Sequence, residues 1–203
     1  SYLLGIDIGT SACKVAVFDR NGKVLAAASG DYPVYYPHEG WAEQNPEEWW
    51  DAVCRATKET IQKADITADE IAGIGIDGQS WSAIPIDREG NVLANTPIWM
   101  DTRAQSICDR LNQEIGQEEI FEVAGNSLQP SYSTAKILWY KENLPEVYAK
   151  IHKILQSNSY IAFKLTGALT QDVSQGYGLH CFNMKKGCWD EKMCERLGIP
   201  MEF

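Results

Sequence analysis

The chain has 203 residues, of which 44% are hydrophobic and 23% charged, so it can bury a core as one large domain or two small ones. Its formal net charge of −10 argues against non-specific binding to nucleic acids or anionic membranes, because such binding depends on basic surfaces. No signal-peptide pattern or long apolar run is visible, and the six cysteines follow no metal-ligand spacing. We therefore expect a globular, cytoplasmic protein with reduced thiols.

The N-terminal part alternates apolar and polar residues with the period of two that is typical of β-strands. It predicts a meander of three short strands, at about 3–8, 13–17 and 24–28. Asn45 followed by Pro46 and two glutamates predicts the start of a helix that continues to about Lys63. The apolar stripe of this helix is expected at i+4 spacing, on Trp49, Val53, Thr57 and Ile61.

The segment 71–79 carries no charge before its aspartate, which predicts a fully buried strand, and a further strand is expected over 82–87. From residue 101 onward the pattern is mainly helical, with one short strand. The expected helices lie at about 102–113, 116–124, 133–143, 145–150 and 157–165, and the strand at 154–156. This order lacks the strict βαβαβ alternation of dinucleotide-binding folds, and Gly73 and Gly75 lack their three-glycine spacing.

Polar residues that suit a phosphate follow the first strand. Asp7 can hold a magnesium ion directly or through water, because hard cations prefer carboxylates. Gly9 allows a tight turn in which the amides and hydroxyls of Thr10 and Ser11 can face phosphate oxygens, and Lys14 can add positive charge. The same residues also suit an ordinary hairpin with a solvated turn, and this motif alone does not decide between the two.

A second group of polar residues follows the strand that ends at Asp77, which repeats the Gly-Ile-Asp tripeptide of the first strand. Two strands that deliver carboxylates to one edge suggest a polar cleft, although a turn or cap role is favoured for Asp77 itself. Gln79, Ser80 and Trp81 offer an amide, a hydroxyl and an indole face, which suit a polyhydroxylated ligand. A core position for Trp81 is the alternative.

The run from Trp99 to Arg103 is a candidate third element of the site. Asp101 can accept hydrogen bonds from sugar hydroxyls, and Arg103 can steady it or reach a ligand. Alternatively, Asp101 caps the next helix and Arg103 is exposed. The three histidines have no partner at nucleophile or metal spacing, so we expect structural roles for them.

Five segments, in the same order and at similar spacing, resemble the N-terminal domain of the FGGY family of carbohydrate kinases, which have the α/β fold of actin-like, ribonuclease-H-like ATPases. These segments are Leu4–Ser11, Gly40–Trp49, Gly75–Trp81, Trp99–Arg103 and Ser131–Trp139. The resemblance covers essentially the whole chain and is nearest to the xylulokinases. Those typically carry Gly-Gln-Met-His where this chain has Gly78-Gln79-Ser80-Trp81.

The resemblance implies an enzyme that transfers the γ-phosphoryl group of ATP to a hydroxyl of a small sugar, with D-xylulose as the first expectation and Mg²⁺ as cofactor. It assigns Asp7 to magnesium and catalysis, Gly9, Thr10, Ser11 and Lys14 to the phosphates, and Gln79, Ser80, Trp81, Asp101 and Arg103 to the sugar. The Ser-Trp pair leaves another pentulose, a hexose, a sugar acid or a polyol open.

In this family the general base lies at the start of a second domain, so we expect it beyond Phe203. Residues 1–203 are then expected to form the sugar-side domain, to contact their own C-terminal domain, and to be inactive alone. Two other classes share the fold. A ribonuclease-H-like nuclease is disfavoured by the net charge, whereas a non-catalytic actin-like sugar-binding module stays open, as does a homodimer.

Overall fold

The structure is a computed structural model that describes all residues from 1 to 203. The elements of its first part are β1 (Tyr2–Ile8), β2 (Ala12–Phe18), β3 (Val24–Asp31), β4 (Glu43–Gln44), α1 (Pro46–Lys63) and β5 (Ile71–Gly78). Four of these strands form one sheet in the order β3-β2-β1-β5, in which β1 is antiparallel to β2 and parallel to β5. The predicted meander and the strand that follows it are confirmed.

The second part is mainly helical. It contains β6 (Ile84–Ile86), β7 (Thr96–Pro97), α2 (Gln105–Leu111), α3 (Gln117–Ala124), α4 (Ser133–Asn143), α5 (Pro145–Tyr148), β8 (Lys153–Leu155), α6 (Ser157–Thr166), β9 (Phe182–Asn183), β10 (Cys188–Trp189) and α7 (Glu191–Leu197). Strand β6 pairs with β8, so helices α2 to α5 are inserted between two neighbouring strands of the same two-stranded sheet. No helix combines the length and the apolar character that a membrane crossing requires.

Helix α1 covers one face of the main sheet. Its start at Asn45 is confirmed, because the Asn45 side chain accepts a hydrogen bond from the N–H of Glu47 at 3.0 Å. The predicted stripe is wrong in its second half, since Thr57 and Ile61 are only half-buried. The buried residues are Pro46, Trp49, Ala52, Val53, Ala56 and Thr60. Small residues thus let the helix lie close to the sheet.

Strand β5 differs from the sequence prediction, because none of its residues is fully buried and Ile74 is 47% exposed. The reason is its place at the edge of the sheet, where α6 packs on the same face as α1 and nothing pairs with the outer side. The absence of charge in this segment indicated burial, but an edge strand lacks a neighbour to provide it.

The helices α2, α3, α4 and α7 enclose a second hydrophobic core of 17 buried residues, beside the 18-residue core between the sheet and α1. The helix expected over 102–113 begins only at Gln105, and Asn112–Gly116 forms a π-helical turn that leads into α3. Helix α6 begins after Gln156, one residue before the cap expected at 157 or 158. All six cysteines are free thiols.

Candidate functional site

The turn between β1 and β2 is as tight as the sequence predicts. The N–H of Gly9 donates to the carbonyl of Ala12 at 3.0 Å, and a Cβ on Gly9 would lie 2.8 Å from that same oxygen. A larger residue would therefore clash with the main chain of the turn. Ser11 lies exposed at the tip of the turn. The hydroxyl of Tyr32 donates a hydrogen bond to the Gly9 carbonyl and so holds the turn in place.

Two acidic residues and one lysine occupy neighbouring positions in the sheet, next to this turn. Asp7 lies opposite Lys14 on β2 and beside Asp77 on β5, and all three residues are exposed. The two strands thus deliver their carboxylates to one edge, as the repeated tripeptide indicated. The carboxylate of Asp77 also accepts from the N–H of Gly78 at 2.8 Å, which is a local turn contact.

An open pocket of about 500 Å³ lies between this turn and the residues after β5. It is lined by Asp7, Gly9, Thr10, Gly78, Gln79, Ser80, Trp81, Trp99 and Tyr177. Six of the ten predicted site residues are in this set. Lys14 instead lines an adjoining groove of about 1000 Å³ on the open face of the sheet, to which Asp7 and Asp77 also contribute. Asp7 therefore lies where the two spaces meet.

The side chain of Gln79 is held by a chain of amide hydrogen bonds. Its Nε2 donates to Gln44 Oε1 at 2.8 Å and to the carbonyl of Gly9 at 3.3 Å. Gln44, which is buried, donates in turn to the carbonyls of Thr10 at 2.7 Å and Pro33 at 3.2 Å. The turn between β1 and β2 and the end of β5 are thus joined by one continuous network, and the buried Gln79 Oε1 has no partner in it.

Trp81 has a main-chain conformation that is rare outside glycine, with φ at 72°. Its N–H donates to Gln156 Oε1 at 3.0 Å, and its carbonyl accepts from Lys136 Nζ at 2.6 Å. The indole packs edge-on against Tyr132 and Tyr177, with ring centroids 4.8 and 5.9 Å away. Trp81 is half-buried and lines the pocket, so the core alternative is not what the structure contains.

Trp99 and Tyr177 complete the pocket and were not among the predicted site residues. The indole Nε1 of Trp99 donates to Thr10 Oγ1 at 3.0 Å, which ties this exposed ring to the turn between β1 and β2. Tyr177 lies between two glycines, and a Cβ on Gly178 would approach the Trp81 ring to 2.7 Å. The Gly-Tyr-Gly sequence could have indicated this position, because glycines on both sides of a tyrosine are typical of a closely packed turn.

Asp101 and Arg103 lie outside the set of pocket-lining residues. Asp101 is 1% exposed, and its oxygens accept from the N–H of Ala42 and from the Arg103 guanidinium. Arg103 also pairs with Glu43 at 2.8 Å and stacks on Trp41, 3.9 Å from the ring centroid. Neither the helix-cap nor the exposed-arginine alternative is observed, since α2 begins after Ala104. Direct sugar contact by these two side chains stays a prediction, and both oxygens of Asp101 as well as Nε and Nη2 of Arg103 are already engaged here.

His180 supports the wall of the pocket from inside. It is fully buried, and its ring nitrogens lie 2.8 Å from Thr134 Oγ1 and 2.8 Å from Asn126 Oδ1. Burial lowers the pKa of His180 to about 4, because the charged imidazolium would lose its hydration. The imidazole is therefore neutral near pH 7, which agrees with the structural role expected for it.

Comparison with known proteins supplies the identification. Residues 2–203 match the family model described as the N-terminal domain of the FGGY family of carbohydrate kinases. The chain belongs to the FGGY family. Its α/β architecture is accordingly the actin-like ATPase fold that the sequence resemblance implied.

Individual relatives of this FGGY domain differ in the substrates that their names give. The chain is 32% identical to the xylulose kinase of Bacillus subtilis and 32% identical to the glycerol kinase of Thermococcus gammatolerans, covering 100% and 98% of this chain. The crystal structure of a gluconate kinase from Lactobacillus acidophilus matches 99% of this chain with a TM-score of 0.91 and 31% identity. The chain spans only 40%, 41% and 40% of the lengths of these three proteins.

Proposed function

We propose that the full-length protein transfers the γ-phosphoryl group of ATP to a hydroxyl group of a small polyhydroxylated acceptor, with D-xylulose as the first candidate. The observation that carries this proposal is the pocket in which the turn after Asp7 and the strand end at Gln79–Trp81 face the same space. A phosphate-binding turn beside an amide, a hydroxyl and aromatic faces is the combination that such a transfer needs.

The proposed roles follow from where the groups lie. The main-chain amides and hydroxyls after Gly9 would bind the transferred phosphate, with Lys14 supplying charge from the adjoining strand. Gln79, Ser80 and Trp81 would orient the acceptor, and Ser11 at the exposed tip would reach the phosphates from outside the pocket. Phosphoryl transfer depends on positioning and on charge stabilisation, so residues held as rigidly as these suit it.

Asp7 would hold a magnesium ion bound with the nucleotide. The chain contains no group of three or more histidine, cysteine, aspartate or glutamate side chains that could bind a metal ion by themselves. An exposed Asp7 fits Mg²⁺, which keeps several waters and is bound through one or two carboxylates together with substrate phosphates. When bound, the ion would neutralise phosphate charge.

We propose that the general base and most contacts to the adenosine come from a second domain beyond Phe203, as the family resemblance implies. Closure of two domains over the pocket would exclude water and so limit the hydrolysis of ATP. The cytoplasmic location and a homodimer, both expected from the sequence, also stay predictions.

The test is a coupled assay of ADP release by the full-length protein with D-xylulose, a second pentulose, a hexose, gluconate and glycerol. We expect one of these acceptors to exceed the others by at least about tenfold in kcat/KM, since discrimination by polar groups is strong. The absence of acceptor-dependent ADP release with every compound would contradict the proposal.

Two aspartate variants separate the role of Asp7 from a general charge effect. Asp7→Asn is expected to lower kcat by about a hundredfold or more, as is usual when a charge-stabilising group is removed. Asp77→Asn removes an equal charge from the neighbouring position in the register and should cost less than about tenfold. Equal losses in both variants would argue against a specific function for Asp7.

A further inference from the structure

Lys136 is a buried lysine without an ion-pair partner. It lies on α4, its exposure is 0%, and it takes part in none of the six salt bridges of the chain. Its Nζ donates instead to two main-chain carbonyls, those of Trp81 at 2.6 Å and Ser131 at 2.7 Å. A lysine in this position is unusual, because burying an unpaired ammonium group is costly.

The cost of burying this ammonium group is reflected in the pKa of Lys136. Burial lowers the pKa of Lys136 to about 7, although the nearby charge of Asp101 offsets part of that effect. A methionine would fill a similar volume without a desolvation penalty. The lysine must therefore contribute something that an apolar side chain of this length does not.

The two carbonyls that Lys136 holds belong to the wall of the acceptor pocket. Trp81 needs support, since its φ of 72° is a strained conformation for a residue with a side chain. Ser131 precedes Tyr132, whose ring packs against the Trp81 indole at 4.8 Å. One ammonium group therefore fixes the main chain beneath both rings, while Gln156 holds the Trp81 N–H from the other side.

We propose that Lys136 is a positioning residue for the acceptor: by clamping the carbonyls of Trp81 and Ser131 it keeps the Gln79–Trp81 wall of the pocket preformed before the acceptor binds. This inference rests on the proposed function. It differs from a purely structural role for Lys136, in which loss of the ammonium group would lower stability without a selective effect on the acceptor.

The first test compares Lys136→Met with Lys141→Met in the full-length protein. Lys141 lies on the same helix but is exposed, and its Nζ only reaches the carbonyl of Gly198 at 3.2 Å. We expect Lys136→Met to lower kcat/KM for the acceptor by about 10- to 100-fold, chiefly through KM, because small displacements at a reactive site are costly. The KM for ATP should stay within about twofold, and Lys141→Met should resemble the wild type.

An unchanged acceptor KM in folded Lys136→Met would overturn the proposal, and so would an equal rise in the KM values for acceptor and ATP. A second measurement needs no variant. In the acceptor-free wild type, hydrogen–deuterium exchange should show the peptide that contains Trp81 and Ala83 as protected, because both N–H groups donate to side chains, with little further change on adding acceptor. Rapid exchange of this peptide without acceptor would also overturn the proposal.

The two proposals fail in different ways. If the wild-type protein releases no ADP with any acceptor, the proposed function fails, whereas the exchange measurement still decides whether the Trp81 wall is preformed. If the wild type is active and the Trp81 peptide is unprotected, only the role assigned to Lys136 fails.

Discussion

At the scale of single residues, one side chain links the two halves of the pocket. The indole of Trp99 donates to the hydroxyl of Thr10, so a residue on one side of the pocket holds a residue of the turn between β1 and β2. The sequence placed Trp99 in the same run as Asp101 and Arg103, but only the latter two were predicted to contact the sugar. The direction of each side chain separates them, since Trp99 points to the turn and the other two point into a buried ion-pair cluster.

Trp99→Phe keeps the aromatic ring and removes the hydrogen bond. Because such a bond contributes roughly 0.5–1.5 kcal/mol net, we expect a loss of roughly 2- to 12-fold in kcat/KM for the acceptor. Trp189→Phe, at an exposed tryptophan that does not line the pocket, is the control and should leave kcat/KM unchanged. Steady-state kinetics of the full-length variants measures both, and equal effects would refute the assigned link.

His180 makes stability depend on pH. Its pKa of about 4 in the folded chain lies below the ordinary value of about 6.5, so the unfolded chain binds more protons between these two pH values. The stabilisation is therefore complete above pH 6.5 and declines as the pH falls towards 4, by roughly 3 kcal/mol in total.

Urea unfolding at pH 7 and at pH 4.5 measures this dependence. The free energy of unfolding should fall more steeply in the wild type than in His180→Gln, since the glutamine cannot take up a proton. Both proteins share all other titrating groups, so their difference isolates the histidine. Parallel pH profiles would mean that His180 is not held neutral.

At the scale of elements, patterns within one segment were predicted well, and properties that depend on neighbours were not. The meander and the start of α1 follow from local alternation and from the Asn45 cap. The prediction that β5 is fully buried was wrong, because the sequence does not tell which strand lies at the edge of the sheet. The buried face of α1 includes Ala52 and Ala56 rather than Thr57 and Ile61, because the helix lies close to β3 and only small side chains fit between them.

That close approach gives a prediction for Gly30 at the end of β3. A Cβ at this position would lie 2.9 Å from the carbonyl oxygen of Ala52 and 3.0 Å from its Cβ, so Gly30→Ala must push α1 away from the sheet. We expect a loss of about 1–3 kcal/mol. Gly75→Ala is the matched control, because a Cβ there meets nothing within 4 Å, and its effect should stay within about 0.5 kcal/mol.

Thermal unfolding of residues 1–203 distinguishes the two glycine variants, since 1 kcal/mol corresponds to about 2–4 °C in a chain of this size. A melting temperature of Gly30→Ala equal to that of Gly75→Ala would show that α1 can shift without cost.

At the scale of the whole molecule, the main sheet is covered on one face only. Helices α1 and α6 pack on the face of Leu4 and Ile6, whereas the opposite face presents Leu3, which is 48% exposed. It also carries a groove whose lining combines small and apolar residues with the charged Asp7 and Lys14. The outer edge of β5 is also unpaired. Open apolar faces and free strand edges favour association.

We therefore expect purified residues 1–203 to bind a hydrophobic dye and to self-associate at micromolar concentration. Leu3→Lys should reduce the association, because it places a charge on the open face. Leu165→Lys changes a residue of similar exposure on α6 and should not. Light scattering after size exclusion measures the mass, and a strictly monomeric wild-type fragment would contradict the expectation.

The same fragment is expected to release no ADP in response to an acceptor, because the proposed general base lies beyond Phe203. The coupled assay that tests the full-length protein also tests this expectation. Acceptor-dependent ADP release by residues 1–203 alone would show that every group needed for transfer is already within them.

The order of the motifs along the chain was enough to predict the fold, since five segments with matching spacing belong to one architecture. It also indicated the place of the pocket, because Asp7 and Gln79 lie at the carboxyl ends of neighbouring parallel strands. The long-range partners could not be predicted in this way. Tyr177 and Lys136 reach the site from segments about 55 to 96 residues away from Trp81 along the chain, and only the packed structure brings them there.

The hydrogen bonds that connect the side chains of Gln44 and Gln79 all run in one direction. Both N–H groups of Gln44 are donated to main-chain carbonyls, so its oxygen must face Gln79, and both N–H groups of Gln79 are used in turn. The oxygen of Gln79 is then the one group of this side chain without a hydrogen-bond partner, and it is buried. A ligand atom that meets it must bring its own hydrogen, as an alcohol does and as a carboxylate or ketone oxygen does not. In the proposed function, an acceptor that reaches this oxygen would therefore be selected as an alcohol rather than a carbonyl by the direction of this hydrogen bond.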